Sequence, residues 1–340
     1  MSNSIAENQV TTKKKPEDIK KLAIDLGSAN LKMMTEINGE RKFKKIKSKV
    51  SRNAIDTNYV VSTSTNVLCF GVGDSLIQQD KTKREYIEET ILLATGLMFE
   101  DTDEVIKIDL ALGLPLDLYK ADKKREYFDM KLQNMKSKTI SGNVNGKDII
   151  VKVNSITVCA EGYSSFLSLN NKMDMTSPFI IIDTGYRTTD ILTIDIDMTQ
   201  DERELVIGNF KTFNKGMLEV FEDIQKQFLN DTGCNYSVDI IENRIINSPI
   251  VKIGQEKFDI RDWIKCGSHT VKEILKNIEL TTPDVISRNI YLVGGGSDLF
   301  HQISEYLLNN GEININTELI GTINELLYSN VVGYYMQLDK

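Results

Sequence analysis

The sequence has two histidines in 340 residues, His269 and His301, and neither has a triad partner nearby. Nucleophilic hydrolase chemistry, which needs a base positioned beside its nucleophile, is therefore disfavoured. The four cysteines, Cys69, Cys159, Cys234 and Cys266, lie far apart with no CxxC spacing. Neither a zinc site nor a disulfide framework follows, and the thiols read as reduced and cytosolic. No run approaches the roughly 18 to 20 apolar residues that span a bilayer, and the N-terminal MSNSIAENQVTTKKKPEDIKK lacks the apolar core of a signal peptide. A cytoplasmic protein with no membrane insertion is expected. Positive charge is also short, with 41 Lys and Arg against 49 Asp and Glu and a net charge of −8. A surface built as a whole to match nucleic acid is thereby disfavoured, and any DNA contact would run through an adaptor. Missing too are a GxGxxG fingerprint and a GxxxxGK[ST] loop, which disfavours a Rossmann dinucleotide site and a P-loop ATPase.

The chain is long enough for two domains, because a single core rarely grows past about 250 to 300 residues. Hydrophobic residues at 41% and charged residues at 26% place it with soluble globular proteins. Residues 1–20, polar and containing Pro16, read as a disordered tail, with the fold starting near Lys21. Leu22 to Leu26 is an apolar strand that turns at Gly27-Ser28-Ala29-Asn30 and resumes at Leu31 to Thr35. Asn38-Gly39 turns the chain again into Arg41 to Lys47, an antiparallel start with one charged face. The spacing of Tyr86, Ile87, Ile91, Leu92, Ala94, Thr95 and Met98 predicts an amphipathic helix over 82–99. Lys107 to Pro115 reads as a buried strand and Lys120 to Leu132 as a charged helix. An Asn145-Gly146 turn leads into a strand at Ile149 to Val153, followed by a separate strand at Ser155 to Ala160 and a helix from Glu161 to Asn170. The pattern then restarts. Phe179 to Asp183 is the most apolar strand, and it again ends in Asp before a Gly-containing turn and a second strand, Asp190 to Ile196. This echo predicts two halves built on one plan. Helices over Gly216 to Leu229, Asp262 to Ile278, Leu299 to Leu308 and Ile323 to Met336, with a strand from Ile290 to Val293, complete the reading.

Consecutive backbone N–H groups in a tight Gly or Ser turn form an anion nest. Gly27-Ser28-Ala29-Asn30 and Thr184-Gly185-Tyr186 can therefore grip phosphate oxygens from opposite sides. Asp25 and Asp183 would then face a shared Mg²⁺, an ion that keeps most of its waters and takes one or two carboxylates plus phosphates. Either Asp alone also reads as a turn cap; the pair, followed by Gly294-Gly295-Gly296, points to a nucleotide. That triplet, in Tyr291 to Leu299, carries a strand through glycines into a helix, where backbone can approach a ligand closely. Glu161 has two readings, a favourable charge near a helix N-terminus or the group that orients water at the γ-phosphate. With no other candidate base, the second is preferred. Lys32 reads either as a phosphate ligand or as an exposed strand lysine. Phe70-Gly71-Val72-Gly73 reads as a turn, and Arg41 to Lys49 as a solvated face that in a polymer could neutralise an acidic neighbour.

Ala23 to Lys32 resembles the first phosphate motif of the actin superfamily, Ile181 to Asp190 the second, and Leu292 to Leu299 the adenosine motif, in the same order. Leu112-Gly113-Leu114-Pro115-Leu116-Asp117-Leu118-Tyr119 and Ile156 to Tyr163 resemble the GLP-x-x-x-Y and V-x-x-E-G segments of ParM-type actin-like plasmid segregation proteins. The resemblance covers roughly residues 21 to 336. It implies an α/β actin-like bilobed fold, two related ribonuclease-H-like lobes with mixed sheets flanked by helices around a nucleotide cleft. Lobe I would span 21–178, with 323–340 returning to it, and lobe II 179–322. ATP or GTP would be held by Gly27, Ser28, Ala29, Asn30, Lys32, Thr184, Gly185, Tyr186, Gly294, Gly295, Gly296 and Asp298, with Asn214, Lys215 and Gly216 over the nucleotide. Asp25 and Asp183 would hold Mg²⁺ through waters, and Glu161 would position the attacking water. The resemblance further implies an ATP hydrolase that assembles head to tail into filaments and segregates low-copy plasmid DNA through a centromere-bound adaptor, with no direct nucleic acid or membrane contact. Relatives commonly have Asp-x-Gly-Gly where this chain has Asp183-Thr184-Gly185-Tyr186-Arg187, which makes Arg187 a further phosphate candidate. The same fold also admits a small-molecule kinase or a non-polymerising nucleotide-binding scaffold. The first needs a substrate acid or base the sequence does not offer, and the second a terminal amphipathic membrane helix that is not visible.

Overall fold

Asn38 and Gly39 have φ of 55° and 80°, and Asn145 and Gly146 have 53° and 88°, the left-handed pair of a type I′ turn. Each dipeptide folds its flanking strands back on one another, Glu40–Lys47 on Asn30–Ile37 and Lys147–Ala160 on Thr139–Val144. The computed structural model describes residues 19–53, 57, 59–76, 81–99, 105–136, 138–197, 204–282 and 284–339. Residues 1–18 of the expected tail lie outside these, and the first strand begins at Ile19.

One sheet is built from β1 (Ile19–Leu26), β2 (Asn30–Ile37), β3 (Glu40–Lys47), β4 (Lys49–Ser51), β5 (Val60–Ser62), β6 (Val67–Phe70), β7 (Asp74–Ser75), β8 (Ile106–Leu114), β9 (Thr139–Val144) and β10 (Lys147–Ala160). The other holds β11 (Phe179–Thr184), β12 (Thr189–Asp197) and β13 (Glu204–Phe213); after the small hairpin of β14 (Ile250–Ile253) and β15 (Glu256–Asp259) it is completed by β16 (Asn289–Val293) and β17 (Glu318–Leu319). Among the described residues the orders are β3-β2-β1-β8-β10-β9-β5-β6-β4-β7 and β13-β12-β11-β16-β17. In each sheet a founding strand, β1 or β11, runs antiparallel to its successor and parallel to a later strand, β8 or β16. The two halves therefore share one plan, as the repeated Asp-turn pattern predicts. The antiparallel start is one edge of a mixed sheet.

Helices cover the sheets: α1 (Ile87–Met98), α2 (Leu116–Lys120), α3 (Asp122–Gln133) and α4 (Tyr163–Leu169), then α5 (Met217–Thr232), α6 (Val238–Asn247), α7 (Ser268–Thr281), α8 (Ser297–Asn309) and α9 (Ile323–Met336). Ile91, Leu92 and Leu93 of α1 are fully buried in the core of the first sheet, and Val220, Ile274 and Ile303 of α5, α7 and α8 in that of the second. Fully burying one such side chain is worth about 1.5–3 kcal/mol. Among the described residues no helix is long and apolar enough to cross a membrane.

Two expectations change. The strands Ile149 to Val153 and Ser155 to Ala160 are one strand, β10, whose register slips between Val153 and Ser155. Asp109 absorbs the bulge, accepting from Asn154 Nδ2 at 2.7 Å and from the Ser155 hydroxyl. The expected helix over Asp262 to Ile278 is a 3₁₀ segment, Ile260–Gly267, followed by α7. A Cβ at Gly267 would lie 2.5 Å from Val220 Cγ1, so the junction passes closely over α5.

Helix α9 packs on β1, β2 and β8 and against α4. Glycine permits this approach, because a Cβ at Gly333 would stand 1.9 Å from the Ser164 carbonyl oxygen. Backbone cannot rotate aside, so Gly333→Ala is expected to lower stability by about 1–3 kcal/mol, measured by denaturant unfolding. An unfolding midpoint equal to wild type would show that the helix does not sit this close.

Candidate active site

The two founding strands end in turns of the same construction. Asp25 is followed by Gly27 and Asn30, Asp183 by Gly185 and Thr188. A Cβ at Gly27 would meet the Asn30 carbonyl oxygen at 2.5 Å, and one at Gly185 the Thr188 carbonyl oxygen at 2.6 Å. Only glycine closes either turn. Beyond each turn the register sets Asp25 opposite Lys32 and Asp183 opposite Asp190. Both turns line one open cavity, together with Glu161 and the glycines after β16. Of the residues singled out in the sequence, Asp25, Gly27, Ser28, Ala29, Asn30, Lys32, Glu161, Asp183, Thr184, Gly185, Tyr186, Gly294, Gly295 and Gly296 line it, as does Arg187.

Asn214, Lys215, Gly216 and Asp298 do not line it. A Cβ at Gly216 would meet the carbonyl oxygens of Gly185 and Tyr186 at 2.7 Å, and these accept from Met217 N at 3.1 Å and Leu218 N at 2.8 Å. The N-terminus of α5 is thus spent on holding the second turn from behind. Lys215 pairs with Glu273 at 2.5 Å, and Asp298 accepts from Gln302 Nε2 at 2.9 Å. His269 and His301 also lie outside the cavity lining.

The glycine triplet is fastened to the second turn. Gly296 N donates to the Thr184 carbonyl at 3.0 Å, and Thr184 Oγ1 donates to the Val293 carbonyl at 2.9 Å. Gly294 has φ of 89°, and a Cβ there would stand 2.3 Å from Asp183 Oδ1. Tyr186 does not open the turn, because Gly185 N still donates to the Thr188 carbonyl at 2.9 Å. Its ring packs beside Phe221 at a centroid distance of 6.4 Å.

Glu161 follows β10 directly; α4 starts two residues later than the sequence suggests, because Gly162, at φ of 70°, interrupts the helical conformation. Its carboxylate is not at a helix N-terminus in the expected sense but faces the cavity, 7% exposed, and accepts from Lys81 Nζ. Lys81 stands on a 3₁₀ turn, Lys81–Lys83, which overlaps the start of the helix expected over 82–99; α1 itself begins only at Ile87. Asn330 on α9, expected only within the segment returning to lobe I, also enters the site. Its Nδ2 donates to Asp183 Oδ2 at 2.6 Å, while Gly162 N donates to Asn330 Oδ1 at 3.0 Å and to Asp183 Oδ2 at 3.1 Å. Lys32 is neither solvated nor unpartnered, since Nζ donates to Asp25 Oδ2 at 3.0 Å. The run Arg41 to Lys49 is only in part a solvated face. Lys45 lines the cavity, Lys47 Nζ reaches Glu242 Oε2 on α6 at 2.7 Å, and Lys49 pairs with Asp239 on the same helix.

Burial divides the carboxylates. It would raise Asp25, but Lys32, Lys81 and Arg84 outweigh it and hold Asp25 below its ordinary value. Glu161 is pushed up to about 7 by burial and by the nearby Asp25, against the pull of Lys81. Asp183 is also raised by burial, in spite of the Asn330 hydrogen bond, and Asp190 is raised well above the usual carboxylate range by burial and by Glu161. Groups displaced this way cluster where chemistry is done.

An anion and a hard cation both fit this lining. Arg187 Nε is buried and has no hydrogen-bond partner among the described residues, a buried donor still lacking an acceptor. Among the described residues no three His, Cys, Asp or Glu side chains gather as a closed metal cage. Asp25 and Asp183, 3% and 5% exposed, would offer a Mg²⁺ ion the one or two carboxylates it takes beside waters and phosphate.

Sequence and structure comparisons agree with this fold. The family model for the N-terminal domain of actin-like proteins matches residues 23–163, and the model described as archaeal actin homologue MreB-like, C-terminal, matches residues 181–305. No curated protein sequence matches the chain. An archaeal actin homologue superposes with a TM-score of 0.72 at 18% identity, over 94% of this chain and 99% of its own, and its complex with ADP with 0.71 at the same identity and coverage. A ParM from Clostridium botulinum, solved as a 15-stranded filament, gives 0.67 at 21% identity over 94% and 99%. With one model over the first sheet and another over the second, and with the fold shared along almost the whole length, this chain belongs to the actin-like proteins.

Proposed function

We propose that the cleft binds ATP with Mg²⁺ and hydrolyses it, and that nucleotide binding drives head-to-tail assembly of the protein into filaments. The observation that carries this reading is the pair of equivalent Asp-x-Gly turns facing one cavity with a buried carboxylate, Glu161, beside both aspartates. N–H groups of the two turns would grip phosphate oxygens, with Lys32 and Arg187 adding charge. The glycines at 294–296 would let the nucleoside lie close to backbone. Asp25 and Asp183 would hold Mg²⁺ through waters, and the ion would neutralise charge on the phosphates. Glu161 orients a water and takes its proton as the water oxygen bonds to the terminal phosphorus and the bond to the bridging oxygen of the diphosphate breaks. Asn330, fixed on α9, keeps Asp183 aimed.

Support for assembly comes from the relatives. The archaeal homologue was solved with ADP, and a ParM of the same fold was solved as a filament. On this reading the protein segregates low-copy plasmid DNA through a centromere-bound adaptor, since its own charge of −8 suits direct DNA binding poorly. Release of inorganic phosphate from Mg-ATP with no acceptor added tests the chemistry. Steady release supports hydrolysis, whereas turnover that appears only after a sugar or acid is supplied would make the protein a kinase of the same fold.

A further inference from the structure

Lys81 and Glu161 form an ion pair in which each side chain is 9% exposed, and both line the cleft. Such a pair is a poor way to stabilise a fold, because desolvating two charges offsets much of their attraction. The short turn that carries Lys81 is anchored at Arg84, whose N donates to the Lys81 carbonyl at 3.2 Å. Arg84 donates from Nη1 to the Leu26 carbonyl at 2.6 Å and from Nη2 to Ser48 Oγ at 2.5 Å, and Lys131 of α3 donates to the Arg84 carbonyl at 2.7 Å. A fixed base with a four-carbon arm lets the ammonium reach more than one acceptor.

The carboxylate oxygens of Glu161 have two claimants. If Glu161 orients water at the terminal phosphate, the oxygen that accepts from Lys81 is wanted by that water, and the phosphate beside it is the stronger anion. We propose that Lys81 is the residue that recognises the terminal phosphate of a nucleoside triphosphate: its ammonium exchanges Glu161 for a terminal phosphate oxygen, and the exchange frees the carboxylate for the attacking water. Lys32 is differently placed, because it bonds Asp25 across the first hairpin. The inference rests on the nucleotide reading of the cleft and adds to it a residue that separates triphosphate from diphosphate.

Calorimetric titration with Mg-ADP and with a non-hydrolysable Mg-ATP analogue distinguishes the two. In Lys81→Met the triphosphate analogue should bind about 10- to 100-fold more weakly, the worth of one hydrogen bond between charged groups, while ADP affinity stays at the wild-type value. A purely structural lysine would lower both affinities together, and that result, or no change in either, overturns the proposal. Lys81→Met leaves Glu161 buried without its cation, so Lys81→Met/Glu161→Gln, which removes both charges, is the companion variant. It should retain ADP affinity and still lack the preference for triphosphate; wild-type affinity for the analogue in this double variant would show that Lys81 merely neutralises Glu161. If wild type binds neither nucleotide, the reading of the cleft itself fails, an outcome distinct from the others.

Discussion

Replacing Glu161 by alanine is expected to slow release of phosphate from Mg-ATP by about 10²- to 10⁴-fold while ADP still binds. The expectation rests on position and on protonation. Glu161 is buried at the cleft floor beside Asp25 and Asp183, with its carboxyl pushed up to about 7 by burial. A base works in its ionised form, so turnover should be low in acid and rise with pH through the region near 7, where Glu161 gives up its proton. Glu161→Gln keeps the shape and removes that titration, and its residual turnover should lose this step in the pH profile. Unchanged turnover in both variants would take Glu161 out of the chemistry.

Loss of Asp25 or Asp183 is expected to be nearly as damaging. A metal that neutralises phosphate charge contributes several kcal/mol to the transition state, so Asp25→Ala and Asp183→Ala should lower Mg²⁺-dependent turnover by more than about 10²-fold. The two alanine variants differ in what they leave behind. Without Asp25 the ammonium of Lys32, its side chain only 13% exposed, loses its partner, and the protein should also unfold more easily. Without Asp183 the donor Asn330 Nδ2 loses its acceptor, and Gly162 N keeps only Asn330 Oδ1. Asp183→Asn keeps an acceptor oxygen and removes the charge, and it separates metal handling from folding: a wild-type melting temperature with little response to Mg²⁺ is expected. Ordinary Mg²⁺ titrations in the variants at both positions would contradict the assignment.

Much of the site is legible locally. An Asp at the end of an apolar strand, a glycine two residues on and a resumed strand describe each turn within eight residues, and the same local signal, repeated, gives away the repeated plan. Leu22 to Ile24 of β1 and Phe179 to Ile182 of β11 are wholly apolar because each is buried in the middle of its sheet. Contacts that join distant segments are not legible in this way. Lys81 is 80 residues from Glu161, and Asn330 is 147 from Asp183; nothing in the polar stretch around Lys81 marks it apart from other lysines. Asp190 could have been found, since it stands seven residues after Asp183 as Lys32 stands seven after Asp25. Helix α6 also left a signal, with Ser237 before it, Asp239 in its first turn and Ile241 and Ile245 on its packed side. Asn214 to Gly216 show the converse. Expected over the nucleotide, they do not line the cavity, and the N–H groups of Met217 and Leu218 at the start of α5 are committed to Gly185 and Tyr186.

The lobes approach one another at the rim of the cleft through Lys47 with Glu242 and Lys49 with Asp239, β3 and β4 of the first sheet against α6. A nucleotide seated between the turns would touch both halves at once, and its presence would set the shape that the next subunit meets. Light scattering and pelleting over a protein concentration series, with Mg-ATP, Mg-ADP or no nucleotide and with phosphate release followed in parallel, test this coupling most directly. The account predicts polymer above a critical concentration with Mg-ATP, decaying as phosphate is released. Monomer at every concentration, with or without Mg-ATP, would contradict it.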